Sequence, residues 1–96
     1  MNILYLSLKS EWYWMIFSGI KTEEYREITD YWTKRLEEKT YDAVQFSLGY
    51  PKRDDTSRRM MFKLDRIEKR TGNPLWGATQ DKEYYVLVLG EKIEII

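Results

Sequence analysis

The octapeptide Gly19–Arg26, with the sequence GIKTEEYR, constrains the fold of this 96-residue chain more than any other segment. It follows an apolar, aromatic-rich stretch, Trp12–Phe17, that is typical of a short helix. Glycine is the usual residue just beyond the last turn of a helix, because it adopts positive φ without steric cost. The chain is therefore predicted to leave a helix at Gly19 and to enter an extended segment that ends at Arg26.

Side-chain alternation decides which charged residues of the octapeptide can meet. In a regular strand Glu24 and Arg26 share one face, whereas Lys21 falls on the other. Lys21 can join them only if it lies in the turn after Gly19, before the strand begins. Such a trio in a cleft would hold a carboxylate between two cations and leave Arg26 free to bind a phosphate or a carbonyl. Burial beside another cation would also lower the pKa of Lys21, which would make it a base or a nucleophile.

The alternative is a surface strand whose charges form cross-strand ion pairs of little energetic weight. Composition narrows the chemistry in either case. The chain contains no His and no Cys, which excludes disulfides, thiol nucleophiles and the usual nitrogen and sulfur metal ligands. The carboxylates are scattered along the chain, so we predict neither a metal nor a cofactor.

Length and hydropathy predict a single domain over residues 1–96, with 43% hydrophobic residues and no repeat or linker. No apolar run approaches the ~20 residues that cross a bilayer. We expect no membrane association, no signal peptide and a cytoplasmic location. Sixteen basic and sixteen acidic residues cancel, which favours a small, shape-selected ligand over a long polyanion.

Alternation and turn residues predict a β-α-β-α order followed by further strands. The first strand covers Ile3–Leu8, with alternate leucines on one face. Ser10 is predicted to cap a helix over 11–18, and Thr29 or Asp30 a second one. Further strands are predicted over 41–48, 60–67, 84–89 and 93–96, the last two separated by a turn at 90–92. The predicted fold class is α+β: a small, mostly antiparallel barrel with two short helices at its rim.

The aromatic residues divide into core and rim positions. Trp14 and Phe17 are three residues apart on the first helix and are predicted to share its core-facing side. Trp12 falls elsewhere on that helix and is predicted to lie at the rim of the cleft. Trp76, in a loop between glycines, is either a plug over the barrel end or a stacking platform. Tyr25 is predicted to point into the barrel.

The pattern Gly19-x-Lys21-x-x-Glu24-x-Arg26 resembles the signature of the ASCH domain, a branch of the PUA-like β-barrel superfamily. The strand Leu6–Lys9, the short helix before the glycine and the apolar strands near the C-terminus fit the same resemblance. More narrowly, the chain is similar to small ASCH proteins of bacteria and their phages. Shared with them are the segments Glu24–Ile28, Tyr31-Trp32, Gly49-Tyr50 and Trp76–Ala78. The resemblance covers Ile3 to about Leu89.

The resemblance implies a PUA-like barrel with a cleft that binds RNA, a nucleotide or a modified nucleoside. Its cations would contact phosphate and its aromatic rings would stack on bases. Carried onto this sequence, the ligand-binding residues are Lys21, Glu24 and Arg26, with Lys9, Trp12, Tyr50, Arg53 and Trp76 as further contacts.

A local excess of positive charge lies near the C-terminal half of the chain. Between Tyr50 and Arg70 there are eight cations and four anions. These residues either form an outer grip on phosphate or belong to a solvated loop. The candidates for the grip are Tyr50, Lys52, Arg53, Arg58 and Arg59.

An enzymatic alternative also follows from the resemblance. One ASCH branch hydrolyses the amide of N4-acetylcytidine with a lysine, a threonine and a glutamate. Lys21 matches the lysine, but Glu24 stands where the threonine would be, and the short loop 71–82 replaces the helical insertion that carries the glutamate. A binding module is therefore preferred, with an amidohydrolase that uses Lys21 and Glu24 as the alternative. Ribonuclease activity and a host-protein partner bound through the aromatic surface are further hypotheses.

Overall fold

The structure, a computed structural model, describes residues 1–95. Five strands and two helices follow one another in the order β1 (Ile3–Leu8), α1 (Ser10–Phe17), β2 (Glu23–Arg26), α2 (Asp30–Leu36), β3 (Ala43–Leu48), β4 (Arg59–Thr71) and β5 (Glu83–Ile93). Two 3₁₀ turns, Thr56–Arg58 and Pro74–Trp76, lie in the connections on either side of β4. The predicted α+β class and the initial β-α-β-α order are confirmed.

The strands form one mixed sheet in the order β1-β3-β4-β5-β2. β1 and β3 run parallel, and the other three pairs are antiparallel. Between Phe62 and Arg66 the register of β4 against β5 shifts twice, and such irregularities bend a strand and increase its twist. The sheet consequently curls into a half-barrel with β1 and β2 at its edges. Across this opening, Nη2 of Arg26 donates to the carbonyl oxygen of Ser7, at 3.3 Å.

The inner face of the half-barrel holds the main hydrophobic core. Leu4, Leu6 and Leu8 are all buried, as the alternation of β1 predicts. They pack with buried residues of the other strands, including Phe46 and Leu87. Burying a large apolar side chain contributes roughly 1.5–3 kcal/mol, so this face fixes the register of the sheet.

Helix α1 differs from the prediction in the face that it buries. Its core-facing pair is Tyr13 and Ile16, whereas Trp14 is 48% and Phe17 is 50% exposed. The i, i+3 rule fits both pairs equally well, so apolar character alone does not orient this helix. The predicted cap also shifts, because Ser10 is the first helical residue and the cap position belongs to the residue before it.

The ends of both helices position residues of the site. Gly19 has φ of +84°, as predicted for the residue that ends α1. At the start of α2 the hydroxyl of Thr29 accepts a hydrogen bond from the amide of Trp32, at 3.3 Å, which confirms the predicted cap. The ring of Trp32 then lies 5.1 Å from the guanidinium carbon of Arg26.

The predicted turn at 90–92 is wrong. β5 continues through these residues to Ile93, which pairs with Met61 of β4. Gly90 marks a close approach instead, because a Cβ at this position would lie 2.5 Å from Oδ1 of Asp65. The predicted last strand over 93–96 is therefore wrong: Ile93 is the final residue of β5, residues 94 and 95 have no regular secondary structure, and residue 96 lies outside the described residues. β4 is also longer than predicted and ends at Thr71.

Candidate functional site

Strand β2 directs two of its charged residues, Glu24 and Arg26, toward the interior of the half-barrel. Glu24 is paired with Leu87 and Arg26 with Tyr85 in the antiparallel register, and directly opposed residues share a face. Leu87 and Tyr85 both belong to the main core. Tyr25 alternates to the other face, where it packs in a small second cluster. The prediction that Tyr25 points into the barrel is therefore wrong, and the charged residues take that side.

Lys21, Glu24 and Arg26 form a continuous ion-pair trio. Lys21 precedes β2 and is not bound by its alternation, so its amine reaches the same carboxylate as Arg26. Nζ of Lys21 lies 3.0 Å from Oε1 of Glu24, and Nη2 of Arg26 lies 2.7 Å from Oε2. Both oxygens of the carboxylate are thus held by cations, and charge-assisted hydrogen bonds of this kind are among the strongest in proteins.

The amine of Lys21 is enclosed on several sides. Its side chain is 1% exposed, and Nζ donates to the backbone carbonyl of Trp76 at 2.8 Å. It also lies 5.3 Å from the ring centroid of Trp12 and 4.7 Å from that of Tyr25. Burial lowers the pKa of Lys21, the charge of Glu24 opposes that shift, and Arg26 adds to it. Lys21 does not line the cleft described below, so it supports the trio from behind.

Arg26 retains unused hydrogen-bonding capacity. Its Nη2 bonds the carboxylate of Glu24 and the carbonyl of Ser7. Its Nε is buried and has no partner among the described residues. An unsatisfied buried donor costs roughly 1–3 kcal/mol. Stacking of the guanidinium on Trp32 and the two bonds of Nη2 nevertheless hold the side chain in place.

A cleft of about 770 Å³ lies beside the trio, within the size range of small-molecule sites. Its wall combines charged side chains, Lys9, Glu24 and Arg26, with aromatic rings, chiefly Trp12, Trp32 and Tyr50. Tyr50 is 94% exposed and stands at the mouth.

The predicted site residues divide into three groups. Five of them line the cleft: Lys9, Trp12, Glu24, Arg26 and Tyr50. Two others, Lys21 and Trp76, lie behind its wall. Lys21 forms an ion pair with Glu24, and the backbone carbonyl of Trp76 accepts a hydrogen bond from Lys21. Arg53 lies in the exposed loop after β3 and does not line the cleft.

The cleft is also lined by Trp32, Glu27, Tyr84 and Tyr25, none of which is among the predicted site residues. For Trp32 a signal existed, because the Thr29 cap fixes where this ring stands on the first turn of α2. Glu27 and Tyr84 are brought to the cleft by the pairing of distant strands, for which the sequence gives no local signal.

The loop after β3 is tied together by one of its predicted phosphate-binding cations. Nη1 of Arg59 donates to the carbonyl oxygens of Lys52 and Asp55, at 2.8 and 2.7 Å. Nε of Arg58 lies 3.6 Å from the carboxylate of Asp55. Arg59 is thereby committed to holding the loop, whereas Lys52 and Arg53 are exposed.

The opposite face of β2 carries a second polar network. The hydroxyl of Tyr25 donates to Glu23 at 2.7 Å and accepts from the amide of Asn73 at 2.9 Å, and Arg70 forms an ion pair with Glu23. Burial raises the pKa of Tyr25 to about 12, with the Asn73 amide opposing and Glu23 reinforcing the shift. Burial alone would raise the pKa of Glu23, but hydrogen bonds from Arg70 and Tyr25 hold it below its ordinary value.

The 72–79 segment contacts both polar clusters and the cleft. Asn73 donates to Tyr25, and Trp76 accepts from Lys21. Gly77 has φ of +101° and lies against Trp12, because a Cβ at this position would approach that ring to 3.0 Å. This short segment therefore supports the aromatic wall as well as the buried charges.

Comparisons with protein-family models, with curated proteins and with solved structures found no match. Within residues 1–95, no group of three or more acidic side chains is arranged to hold a metal ion. No helix in this part of the chain is long and apolar enough to cross a bilayer.

Proposed function

We propose that this protein is a binding module that recognises a base or a modified nucleoside, as a nucleotide or within RNA, in the cleft beside Glu24 and Arg26. Its membership of the ASCH group is part of the same proposal. The observation that carries it is one cleft of about 770 Å³ in which Lys9 and Arg26 lie among Trp12, Trp32 and Tyr50. Cations bind phosphate, and aromatic rings offer the stacking surface that every base can use.

The charge balance around the cleft supports an anionic ligand. Of the two carboxylates in its wall, Glu24 is bound on both oxygens by Lys21 and Arg26, and Glu27 is paired with Lys82 at 2.7 Å. Within the lining, Lys9 and Arg26 balance Glu24 and Glu27, and Lys21 and Lys82 neutralise these two carboxylates from outside it. Because both carboxylates are paired, the cations of the cleft attract a phosphate group without making the whole neutral protein a general polyanion binder.

The trio also supports selective binding through preorganisation. Glu24 and Trp32 fix the guanidinium of Arg26 before any ligand arrives, so little side-chain entropy is lost when it donates to a phosphate or a base carbonyl. A planar guanidinium presents paired donors that an ammonium lacks. Lys21, in turn, neutralises the second oxygen of Glu24 and so keeps that carboxylate from repelling the ligand.

The amidohydrolase alternative is favoured by one observation, the lowered pKa of Lys21, because a neutral amine is a base and a nucleophile. A reacting amine must also reach the substrate carbonyl. Nζ of Lys21 is bound by Glu24 and by the Trp76 carbonyl and lies outside the lining of the cleft. These contacts favour a positioning role for Lys21, and we therefore prefer binding over turnover.

The proposal is tested by titrating the protein with nucleoside monophosphates, N4-acetylcytidine and short RNAs, and following tryptophan fluorescence. We expect saturable quenching, and about tenfold weaker binding by Arg26→Lys, which keeps the charge but loses the planar fork. Arg58→Lys, an exchange at an exposed loop arginine, is the matched control and should bind as the wild type does.

Mass spectrometry of the same samples separates binding from turnover. A hydrolysed product that disappears in Lys21→Met would replace the binding module with the amidohydrolase. Failure of every probe to bind the folded wild-type protein would contradict both readings of the cleft.

A further inference from the structure

The cleft continues into a second groove on the outer face of β1 and β3. This groove has a volume of about 320 Å³ and shares Ser7 and Tyr50 with the cleft. The leucines of β1 point into the core, so the alternate residues, Tyr5 and Ser7, face outward. Gln45 and Ser47 stand beside them on β3 in matching register. The groove therefore runs across two paired strands and ends at the mouth of the cleft.

Ser7 lines both the cleft and the groove. Its backbone carbonyl accepts a hydrogen bond from Arg26, whose side chain lines the cleft, and the same residue lines the groove. A ligand bound at Arg26 is thus adjacent to Ser7, whose other side faces the groove. Ser7 and Tyr50 line both spaces, so a chain-like ligand that occupies both would contact these two residues.

The groove has the chemistry of a single-strand platform. Tyr5 is 67% exposed and lines the groove together with Tyr50, so two accessible rings are available for a base to stack on. The one charged residue in its lining is Arg59, and the lining includes no carboxylate; since its guanidinium bonds the loop carbonyls, Arg59 contributes a fixed positive charge to the groove. Gln45 and Ser47 add polar side chains that can bond base edges. An exposed aromatic ring, a cation and an amide together suit a nucleotide better than an apolar peptide.

We propose that the cleft and the groove together bind single-stranded RNA, with one nucleotide in the cleft and its neighbour stacked on Tyr5 in the groove. This proposal rests on the proposed function, because it extends the same cleft. It deepens that function by making an oligonucleotide, and not a free nucleoside, the complete ligand.

Length dependence of binding is the decisive measurement. Adenosine monophosphate, uridine monophosphate and their RNA tetranucleotides are titrated against the wild type and Tyr5→Ala. We expect each tetranucleotide to bind at least about tenfold more tightly than its monomer, because a stacked base is worth roughly that much. Tyr5→Ala should remove this gain and leave monomer binding unchanged. Phe17→Ala, which removes a ring that is 50% exposed and lines neither space, should change neither affinity.

Backbone amide chemical shifts locate the second nucleotide independently. The amides of Tyr5 and Gln45 should move with a tetranucleotide and stay in place with a monomer. Equal affinities for monomer and tetranucleotide, with no response of these amides, would overturn the groove and leave the cleft intact. Loss of monomer binding in the wild type would instead refute the proposed function and this extension together. Since Tyr5 is largely exposed, its replacement does not endanger folding.

Discussion

The two faces of β2 carry two polar clusters of similar composition and different character. On the inner face Glu24 is held by Lys21 and Arg26. On the outer face Glu23 is held by Arg70 and by the hydroxyl of Tyr25. Both carboxylates are partly or fully buried and charge-paired, and neighbouring residues of one strand supply them.

The difference lies in what each cluster leaves unused. In the outer cluster the ring of Tyr25 also lines the cleft, but its hydroxyl has both a donor and an acceptor partner, and the 72–79 segment packs against it. In the inner cluster Arg26 keeps a donor without a partner and borders a cleft lined by tryptophans. Ion pairing alone therefore does not distinguish the two clusters. They differ in that the buried Nε of Arg26 has no partner among the described residues, whereas the Tyr25 hydroxyl is fully bonded.

The largest expected effect tests whether the inner cluster also determines stability. Lys21→Met should lower the free energy of unfolding by about 3–5 kcal/mol, because it leaves one oxygen of Glu24 without its cation in a buried setting. Urea denaturation measures the change. Lys82→Met breaks the exposed pair with Glu27 and should leave the free energy of unfolding close to that of the wild type. Equal costs in the two variants would remove the distinction between a buried trio and a surface pair.

A smaller effect is expected from the outer cluster. Tyr25→Phe removes one hydroxyl and leaves the Asn73 amide and a Glu23 oxygen without that partner. The expected loss of unfolding free energy is about 1–3 kcal/mol. Tyr50→Phe, at an exposed ring, should change it by less than about 0.5 kcal/mol. If ligand affinity falls in Tyr25→Phe as much as in Arg26→Lys, then the outer cluster takes part in binding and the comparison fails.

The smallest effect is a pH dependence that belongs to the outer cluster. The pKa of Glu23 in the folded protein lies below its ordinary value of 4.5. In acid the unfolded chain therefore binds this proton first, and stability falls as the pH drops from 4.5 through the lowered pKa. Glu23→Gln should be less stable at pH 7 and should lose less stability between pH 7 and acid.

Unfolding free energies measured from neutral to acidic pH give that difference directly. Glu11→Gln, a change at an exposed acid in the first turn of α1, serves as the control. Its unfolding free energy should fall between neutral and acidic pH by as much as that of the wild type. If Glu23→Gln loses as much unfolding free energy on acidification as the wild type, then the outer ion pair does not contribute to the pH dependence of stability.

Local rules were sufficient for much of the fold. The alternating leucines of β1, the positive φ of Gly19 and the Thr29 cap each depend on only a few neighbouring residues. The meeting of Lys21 with Glu24 also follows from a local rule, because Lys21 lies in the turn before β2.

Tertiary contacts decided what the sequence did not predict. Hydropathy favours Tyr25 for the interior and charged residues for the exterior of β2, yet the pairing with β5 turns Glu24 and Arg26 inward. Glycine is typical of turns, but Gly90 lies within the continuous strand β5. Its lack of a side chain there leaves room for the carboxylate of Asp65. In α1 the two possible aromatic faces are equivalent until the sheet selects one.

The 72–79 segment looks like an ordinary surface loop, and such loops tolerate changes of length and composition. Its backbone, however, holds Lys21 through Trp76 and Tyr25 through Asn73, and Gly77 seats the ring of Trp12. Inserting or deleting a residue here would reshape the cleft without altering any charged side chain. Under the proposed function, a change in this loop is expected to alter which ligand the cleft selects while the trio of Lys21, Glu24 and Arg26 stays in place.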